Sequence, residues 1–146
     1  MITPSIDIPG YRVRIGCDVV ALGDIEESLA AFGDRFLTRI YTPGELATCS
    51  GPNRLARLAA RFAAKEATMK AFARPDAAFV PCEIEVVTVD FAPTLRLAGS
   101  AAQLATEQRW QQTSLSLTHA DCHAAAVVVV VCGDRPTADR STTDEH

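Results

Sequence analysis

One long stretch of helical periodicity, residues 54–72, constrains the fold of this chain more than any other part of it. Four apolar side chains in this stretch fall on one stripe at 100° per residue, which predicts a helix packed on a core. Glu66 lies at the edge of that stripe. A half-buried carboxylate needs a cationic partner, a proton or a metal ion, because an unpaired buried charge is costly. The stripe comprises Leu55, Leu58, Phe62 and Met69.

Cations accompany Glu66 on the predicted helix, and each has an ordinary explanation. Lys70 lies one turn beyond Glu66, where a simple pair between the two would stabilise the helix by about 0.3 kcal/mol. A row of further cations at spacings of three and four is usually a solvated face. Beside a metal-binding carboxylate, such a row would also suit a ligand with several phosphates. The row consists of Arg54, Arg57, Arg61 and Lys65.

A second carboxylate, Asp18, occurs in an apolar setting near the start of the chain. Across residues 11–20, apolar residues alternate with polar ones or glycine, which is the period of a strand with one buried face. Asp18 falls opposite Val19 and on the same side as Gly16. The missing side chain at Gly16 would let a ligand or another backbone come close to the carboxylate. The apolar face consists of Val13, Ile15, Cys17 and Val19.

A third motif, residues 115–119, reads Leu-Ser-Leu-Thr-His near the end of the chain. Together the three motifs resemble the holo-acyl-carrier-protein synthase family of 4′-phosphopantetheinyl transferases. That family carries Gly-x-Asp at the end of its first strand, then a helix with (Trp/Phe)-x-x-Lys-Glu-x-x-x-Lys-Ala, then a strand ending in Ser-x-(Ser/Thr)-His. The resemblance covers residues 12–132. The matching residues are Gly16, Asp18, Phe62, Lys65, Glu66, Lys70, Ala71, Ser116, Thr118 and His119.

The resemblance implies an enzyme that moves 4′-phosphopantetheine from coenzyme A to a serine of an apo acyl carrier protein, or of a polyketide or peptide carrier. It implies Asp18 and Glu66 as ligands of Mg²⁺, an ion that prefers hard oxygen atoms. Glu66, directly or through a bound water, would take the serine proton. Lys70 would lie against a pyrophosphate oxygen as a fixed positive charge.

The same resemblance assigns coenzyme A binding to Arg61, Lys65, Lys70 and His119, with Arg61 and His119 near the 3′-phosphate. Ser116 is a further candidate, although it could do no more than satisfy a neighbouring amide. Without the resemblance, His119 would be interpreted as a strand-end histidine bonded to backbone. The family is usually homotrimeric, and each cofactor site is then shared between neighbouring subunits.

The predicted fold is a single α+β domain in which a small antiparallel sheet packs on one long and several short helices. Short helices are predicted over residues 24–32, with Asp24 as N-cap and Gly33 as stop, and over 100–108. Another starts at the capping box Thr42-Pro43-Gly44-Glu45. Asn53 is the predicted cap of the long helix. Further strands are predicted over 84–89, 94–98, 113–119 and 124–132.

Three segments are expected: a transferase domain over residues 12–132, an N-terminal extension over 1–11, and a tail over 133–146. The tail has too little apolar surface to order itself.

The turn at residues 90–94 keeps the proline of the family's hairpin turn but lacks its glycine and its cation.

Composition excludes several classes of protein. A chain of 146 residues with 48% apolar content can build one modest core, and its net charge of −4 gives no sign of nucleic-acid binding. There is no signal peptide pattern at the start, and the apolar run 124–132 is too short to cross a bilayer. Five cysteines without a Cys-x-x-Cys pair indicate the reducing cytoplasm. The group His119, Cys122 and His123 is interpreted as a polar turn, not as half of a zinc site.

The helix after the first strand carries Asp24, Glu26 and Glu27, whereas the family helix is often basic and meets an acidic carrier. Because like charges weaken association, we expect an unusual carrier, or docking through Arg35 and Arg39. The acidic helix and the altered turn favour one alternative, a catalytically silent relative that binds coenzyme A. A metal-dependent phosphohydrolase is a third hypothesis, from a different class.

Overall fold

A four-stranded antiparallel sheet and a separate two-stranded hairpin surround one long helix in the computed structural model, which describes residues 5–134. The strands are β1 (Ser5–Ile8), β2 (Tyr11–Ala21), β3 (Ile84–Val89), β4 (Ala92–Leu97), β5 (Trp110–His119) and β6 (His123–Gly133). The helices are α1 (Leu22–Phe32), α2 (Asp34–Ile40), α3 (Pro43–Thr48), α4 (Arg54–Phe72) and α5 (Gly99–Glu107), with a 3₁₀ turn at Pro81–Glu83. The predicted α+β fold and the bounds of the long helix are confirmed.

The order β1-β2-β6-β5 of the larger sheet places the predicted motif strands near one another. Asp18 of β2 pairs with Ala126 of β6, and Leu117 of β5 pairs with the same Ala126. β3 and β4 form the second sheet through the turn at Asp90 and Phe91, which both have positive φ. Asp18 and the end of β5 therefore lie on one sheet with a single strand between them.

α4 packs across β2 and β6 through a face made mainly of alanine, not through the predicted apolar stripe. Leu58 is fully buried, but Leu55, Phe62 and Met69 are only partly buried. Small side chains let the helix come close to the sheet. At Gly16 the fit is so close that an added Cβ would stand 1.9 Å from the carbonyl oxygen of Ala67. The buried alanines are Ala56, Ala59, Ala60, Ala63, Ala64, Ala67 and Ala71.

The predicted buried face of β2 is wrong. Gly16 and Val20 are buried beneath the helix, whereas Ile15 and Val19 on the other face are exposed. Alternation separates the two faces of a strand but does not say which one the helix covers. Gly16 determines which face of β2 is buried, because the absence of a side chain lets the backbone of α4 approach on that face.

The predicted helix caps are formed in two cases and not in two others. The capping box between Thr42 and Glu45 is formed, and Gly33, with φ 55°, ends α1 as predicted. Asp24 is not an N-cap, because β2 runs directly into α1 and the amide of Leu22 donates to the carbonyl of Cys122 at 2.9 Å. Asn53 precedes α4 but makes no capping bond through its side chain.

Two elements, β1 and α2, were not predicted from the sequence. β1 pairs with β2, so part of the predicted N-terminal extension adds an edge strand to the sheet. Residues 1–4 and 135–146, the latter most of the predicted tail, lie outside the described residues. Within residues 5–134, no helix combines the length and apolar character needed to span a membrane.

Candidate active site

The close approach of β2 and α4 brings Asp18, Glu66 and Lys70 together. The Lys70 ammonium lies 3.0 Å from Asp18 Oδ1 and donates to the carbonyl of Cys17 at 3.0 Å. Glu66 and Lys70 share one side of α4, four residues apart. The Lys70 side chain is 57% exposed and that of Asp18 is 18% exposed, so the group opens to solvent on the lysine side.

The surroundings of Glu66 destabilise its charged form. Burial raises the pKa of Glu66, the charge of Asp18 raises it further, and Lys70 opposes the shift. One ammonium therefore does not fully offset two neighbouring carboxylates. Such a site favours either a proton on Glu66 or a second cation.

The donor set fits Mg²⁺. Within residues 5–134 there is no cluster of three or more histidine, cysteine or acidic side chains that could hold a metal ion. Two carboxylates suffice for Mg²⁺, which usually keeps several waters and shares its coordination sphere with substrate phosphates. Asp18 and Glu66 are the residues that would hold the ion.

Lys65 lies elsewhere, although it precedes Glu66 directly. Its side chain is 1% exposed, and its ammonium donates to Glu45 Oε1 at 2.6 Å, to the carbonyl of Ile84 at 2.6 Å and to that of Pro81 at 3.1 Å. Burial lowers the pKa of Lys65, and the Glu45 carboxylate opposes this shift. The prediction that Lys65 binds coenzyme A does not fit this placement, because all three ammonium protons already have partners.

The predicted row of cations on α4 divides into two pairs. Arg54 and Arg57 are exposed, whereas Arg61 and Lys65 are buried. Arg61 Nη1 makes a long bond of 3.4 Å to the carbonyl of Arg57, and its buried Nε has no partner among the described residues. The guanidinium of Arg61 therefore keeps unused donor capacity, which Lys65 does not.

His119 and Ser116 are exposed on β5. β5 is separated from β2 by β6, so two strand spacings, roughly 10 Å, lie between these residues and Asp18. Ser116 pairs with Val127 and points to the sheet face away from α4. Within one chain, neither residue joins the group formed by Asp18 and Glu66.

Comparison with known proteins identifies the family. The model of the ACPS group, described as the 4′-phosphopantetheinyl transferase superfamily, matches residues 14–130. This chain belongs to that superfamily. The match includes all of the residues in the predicted site.

Two curated relatives of this chain are both named holo-[acyl-carrier-protein] synthase. A holo-[acyl-carrier-protein] synthase of Dehalococcoides mccartyi is 41% identical over 120 residues, which cover 82% of this chain and 97% of the relative. One from Koribacter versatilis is 42% identical over 118 residues, covering 79% of this chain and 94% of the relative. The chain therefore aligns with nearly the whole length of these synthases.

Solved structures of the superfamily share the fold. An ACPS–CoA complex from Chronobacterium ammoniagenes has a TM-score of 0.73 at 27% identity and covers 84% of this chain and 98% of its own. A Helicobacter pylori holo-[acyl-carrier-protein] synthase in complex with coenzyme A has a TM-score of 0.66 at 29% identity, covering 80% and 98%. The motifs of this transferase superfamily therefore occur here in the matching fold.

A cavity beside α2 forms a second candidate surface, and the sequence predicted only part of it. Arg35 and Arg39 line a cavity of about 500 Å³ between α1, α2 and the segment before β3. Phe32 and Phe36 contribute apolar walls, so the cavity combines cations with aromatic surface. The two arginines were singled out from the sequence, but α2 and the aromatic walls were not, because no strong capping or periodic signal marks this short helix.

Proposed function

We propose that this chain transfers 4′-phosphopantetheine from coenzyme A to a serine of an apo carrier protein and releases adenosine 3′,5′-bisphosphate. The observation that carries the proposal is the meeting of Asp18, Glu66 and Lys70 in a member of this superfamily. Relatives of about 40% identity are named holo-[acyl-carrier-protein] synthase, which supports the same reaction here.

The reaction is a displacement at the β-phosphate. The serine hydroxyl oxygen of the carrier forms a new bond to that phosphorus, and the bond to the bridging oxygen of the pyrophosphate breaks. The leaving bisphosphate keeps the electron pair, and Glu66 accepts the serine proton, directly or through water. In the metal-free chain, burial and the charge of Asp18 raise the pKa of Glu66, and a bound Mg²⁺ would oppose this shift.

Asp18 and Glu66 hold Mg²⁺ in this proposal, and the ion, when bound, neutralises charge on the pyrophosphate. Lys70 supplies a further positive charge. Its side chain is more than half exposed, so it is free to exchange its bond to Asp18 for one to a pyrophosphate oxygen. Exchange of one anionic partner for another costs little, because both bonds are charge-assisted.

Arg61 binds a terminal phosphate of coenzyme A in this proposal. Its buried Nε has no partner in residues 5–134, and a phosphate oxygen would satisfy it. Arg54 and Arg57 on the same helix are exposed and add positive potential. His119 and Ser116 lie two strands from Asp18 in the same chain, and in this proposal they serve the site of a neighbouring subunit.

A homotrimer with shared sites is supported by the uncovered face of the sheet. Ile15 and Val19 of β2, Val127 of β6, and Ile6 and Ile8 of β1 are all exposed. A contiguous exposed apolar surface of this kind marks an interaction site. A second copy of the chain is the proposed occupant, because the same face carries Ser116.

The carrier docks at the cavity between α1 and α2. Arg35 and Arg39 meet acidic residues of the carrier, and Phe32 and Phe36 meet its apolar ones. Asp24, Glu26 and Glu27 on α1 are exposed and oppose an acidic carrier. We therefore propose a carrier with a smaller acidic patch than usual, such as one from a polyketide or peptide synthase.

All five cysteines are free thiols, which supports a cytoplasmic location.

The test is the intact mass of candidate apo carriers after incubation with this protein, coenzyme A and Mg²⁺. A gain of one phosphopantetheine mass that Asp18→Ala and Glu66→Ala both lose supports the proposal, and Glu107→Ala, at an exposed position of α5, is the matched control. Binding of coenzyme A without a mass gain on any carrier indicates a silent relative. Turnover of coenzyme A without a carrier indicates a phosphohydrolase.

A further inference from the structure

The adjacent residues Lys65 and Glu66 face different sides of α4. Consecutive helical positions are about 100° apart, so one side chain points to the 3₁₀ turn and β3 while the other points to β2. The Lys65 ammonium is held by three oxygens, those of Glu45, Pro81 and Ile84. Glu66 makes no such directed contact within residues 5–134, and its carboxylate lies close enough to Asp18 to be influenced by that charge.

Glu45 connects this lysine to two further elements. Its Oε1 accepts from the amide of Thr42 at 3.1 Å, and its Oε2 accepts from the amide of Val86 at 3.2 Å. It is also the acidic member of the capping box at the start of α3. The buried pair of Lys65 and Glu45 therefore ties α4 to α3 and to β3 by bonds that depend on direction.

The sheet-facing side of α4 is mainly alanine, whose short side chains define the rotation of the helix less sharply than large ones would. Other directed bonds to α4 include those of Lys70 to β2 and those that the carbonyls of Leu58 and Phe72 accept towards the two ends of the helix. A rotation of about 10° moves a side-chain tip at a radius of about 5–6 Å by about 1 Å. Mg²⁺ demands near-ideal geometry, so a shift of this size at Glu66 matters for a metal site.

We infer that Lys65 and Glu45 are positioning residues, which fix the rotation of α4 and so hold the Glu66 carboxylate opposite Asp18. The inference rests on the proposed function, because it assumes that Asp18 and Glu66 bind the metal ion. It assigns Lys65 no contact with coenzyme A. The two charges are not in themselves required for stability, because an apolar replacement of a buried ion pair is often neutral or stabilising.

The test compares the unaltered chain with the double variant Glu45→Gln/Lys65→Met, which leaves no unpaired buried charge. Mn²⁺ is titrated in the presence of coenzyme A without carrier, and its binding is followed by electron paramagnetic resonance. We expect the midpoint of unfolding to fall by roughly 5–10 °C, because the carbonyls of Pro81 and Ile84 lose their donor. We expect Mn²⁺ affinity and kcat each to fall about tenfold or more, with the KM for coenzyme A within about twofold.

Three results would overturn the inference. Unchanged Mn²⁺ affinity and kcat in the double variant would leave the pair a purely structural role. A raised KM for coenzyme A with unchanged Mn²⁺ affinity would make Lys65 a ligand of the cofactor. Failure of the unaltered chain to bind Mn²⁺ would remove the proposed metal site and the inference together.

A second variant, Glu45→Asp, keeps both charges and the acidic cap but retracts the carboxylate by one methylene. It provides the same measurement if the double variant does not fold. We expect weaker Mn²⁺ binding with the KM for coenzyme A unchanged. Full Mn²⁺ affinity in folded Glu45→Asp would count against positioning by this pair.

Discussion

Gly16 and Ala67 set the distance between β2 and α4, because any side chain at residue 16 would meet the carbonyl oxygen of Ala67. The obstacle is backbone, so no side-chain rotation can relieve it. The two carboxylates of the candidate site are carried by these same two elements. The shape of the site therefore depends on a main-chain contact to which neither carboxylate contributes.

Gly16→Ala is expected to separate β2 from α4. Overpacking of this kind costs about 1–3 kcal/mol and should lower the midpoint of thermal unfolding by roughly 5–10 °C. Transferase activity should fall further than stability, because Asp18 moves away from Glu66. Circular dichroism melts and carrier mass assays measure the two effects. Gly23→Ala in α1 is the control, since a Cβ there meets nothing within 4 Å, and equal losses in both variants would contradict this account.

Glu66→Gln is expected to abolish transfer while making the protein more stable at neutral pH. The folded-state pKa of Glu66 is raised, chiefly by burial and then by Asp18. The folded state therefore binds this proton more tightly than the unfolded chain does. The stability that the proton supplies is complete below the ordinary pKa of 4.5 and is lost as the pH rises through the raised value.

Denaturant unfolding of Glu66→Gln and of the unaltered chain across that pH range tests this expectation. The stability difference in favour of Glu66→Gln should grow as the pH rises, and Mg²⁺ should stabilise only the unaltered chain. Glu26→Gln, on the exposed side of α1, is the matched control. A loss of stability in Glu66→Gln at neutral pH would show that the charged form is favoured, contrary to the geometry.

The resemblance to the family predicted that Asp18 and Glu66 would lie together, whereas local periodicity gave only the face of each element on which they lie. A strand period places Asp18 beside Gly16, and a helix period places Lys70 above Glu66. The same reasoning was not sufficient for Lys65. Its partner Glu45 lies 20 residues away and had already been given a local role in the capping box.

The buried surfaces were harder to predict than the site. Apolar patterns drew attention to larger side chains such as Phe62 and Met69, although alanines form the face of α4 that meets the sheet. On β2, the exposed residues Ile15 and Val19 looked like core. For α4 and for β2, the sequence pattern does not say which neighbouring element, in the same chain or in another copy, packs against a given face.

Val19→Lys is expected to break the proposed homotrimer without unfolding the chain. Val19 is 64% exposed on the uncovered face of the sheet, so lysine is tolerated in one subunit but brings unpaired charge into an interface. Sedimentation velocity should show a shift to monomer, and light scattering gives the mass. Val89→Lys is the control, because Val89 is 54% exposed on β3, which is not part of the four-stranded sheet. An unchanged mass for Val19→Lys would exclude this face as the interface.

Arg35→Glu and Arg39→Glu are each expected to raise the KM for an acidic carrier by roughly three- to tenfold, with kcat unchanged. The reason is loss of attraction at the proposed docking cavity, and the effect should shrink at high ionic strength. Steady-state kinetics with varied carrier measures it. Arg96→Glu, on exposed β4, provides an equal charge change away from the cavity. Equal effects in all three variants would mean that net charge, not this surface, governs docking.

Asp18→Ala and His119→Ala chains, each inactive alone, are expected to regain activity when mixed and allowed to exchange subunits. The sheet order keeps His119 two strands from Asp18 in its own chain, and the proposed shared site takes the two residues from different copies. In a random mixture about one quarter of the sites would combine an intact Asp18 with an intact His119 of the neighbour. A mixture of Asp18→Ala with Glu66→Ala is the matched control, because these residues meet within one chain and no mixture restores them. Mixed oligomers of Asp18→Ala and His119→Ala without recovered transfer would assign both residues to the site of one chain, and full activity of His119→Ala alone would place His119 outside the active site.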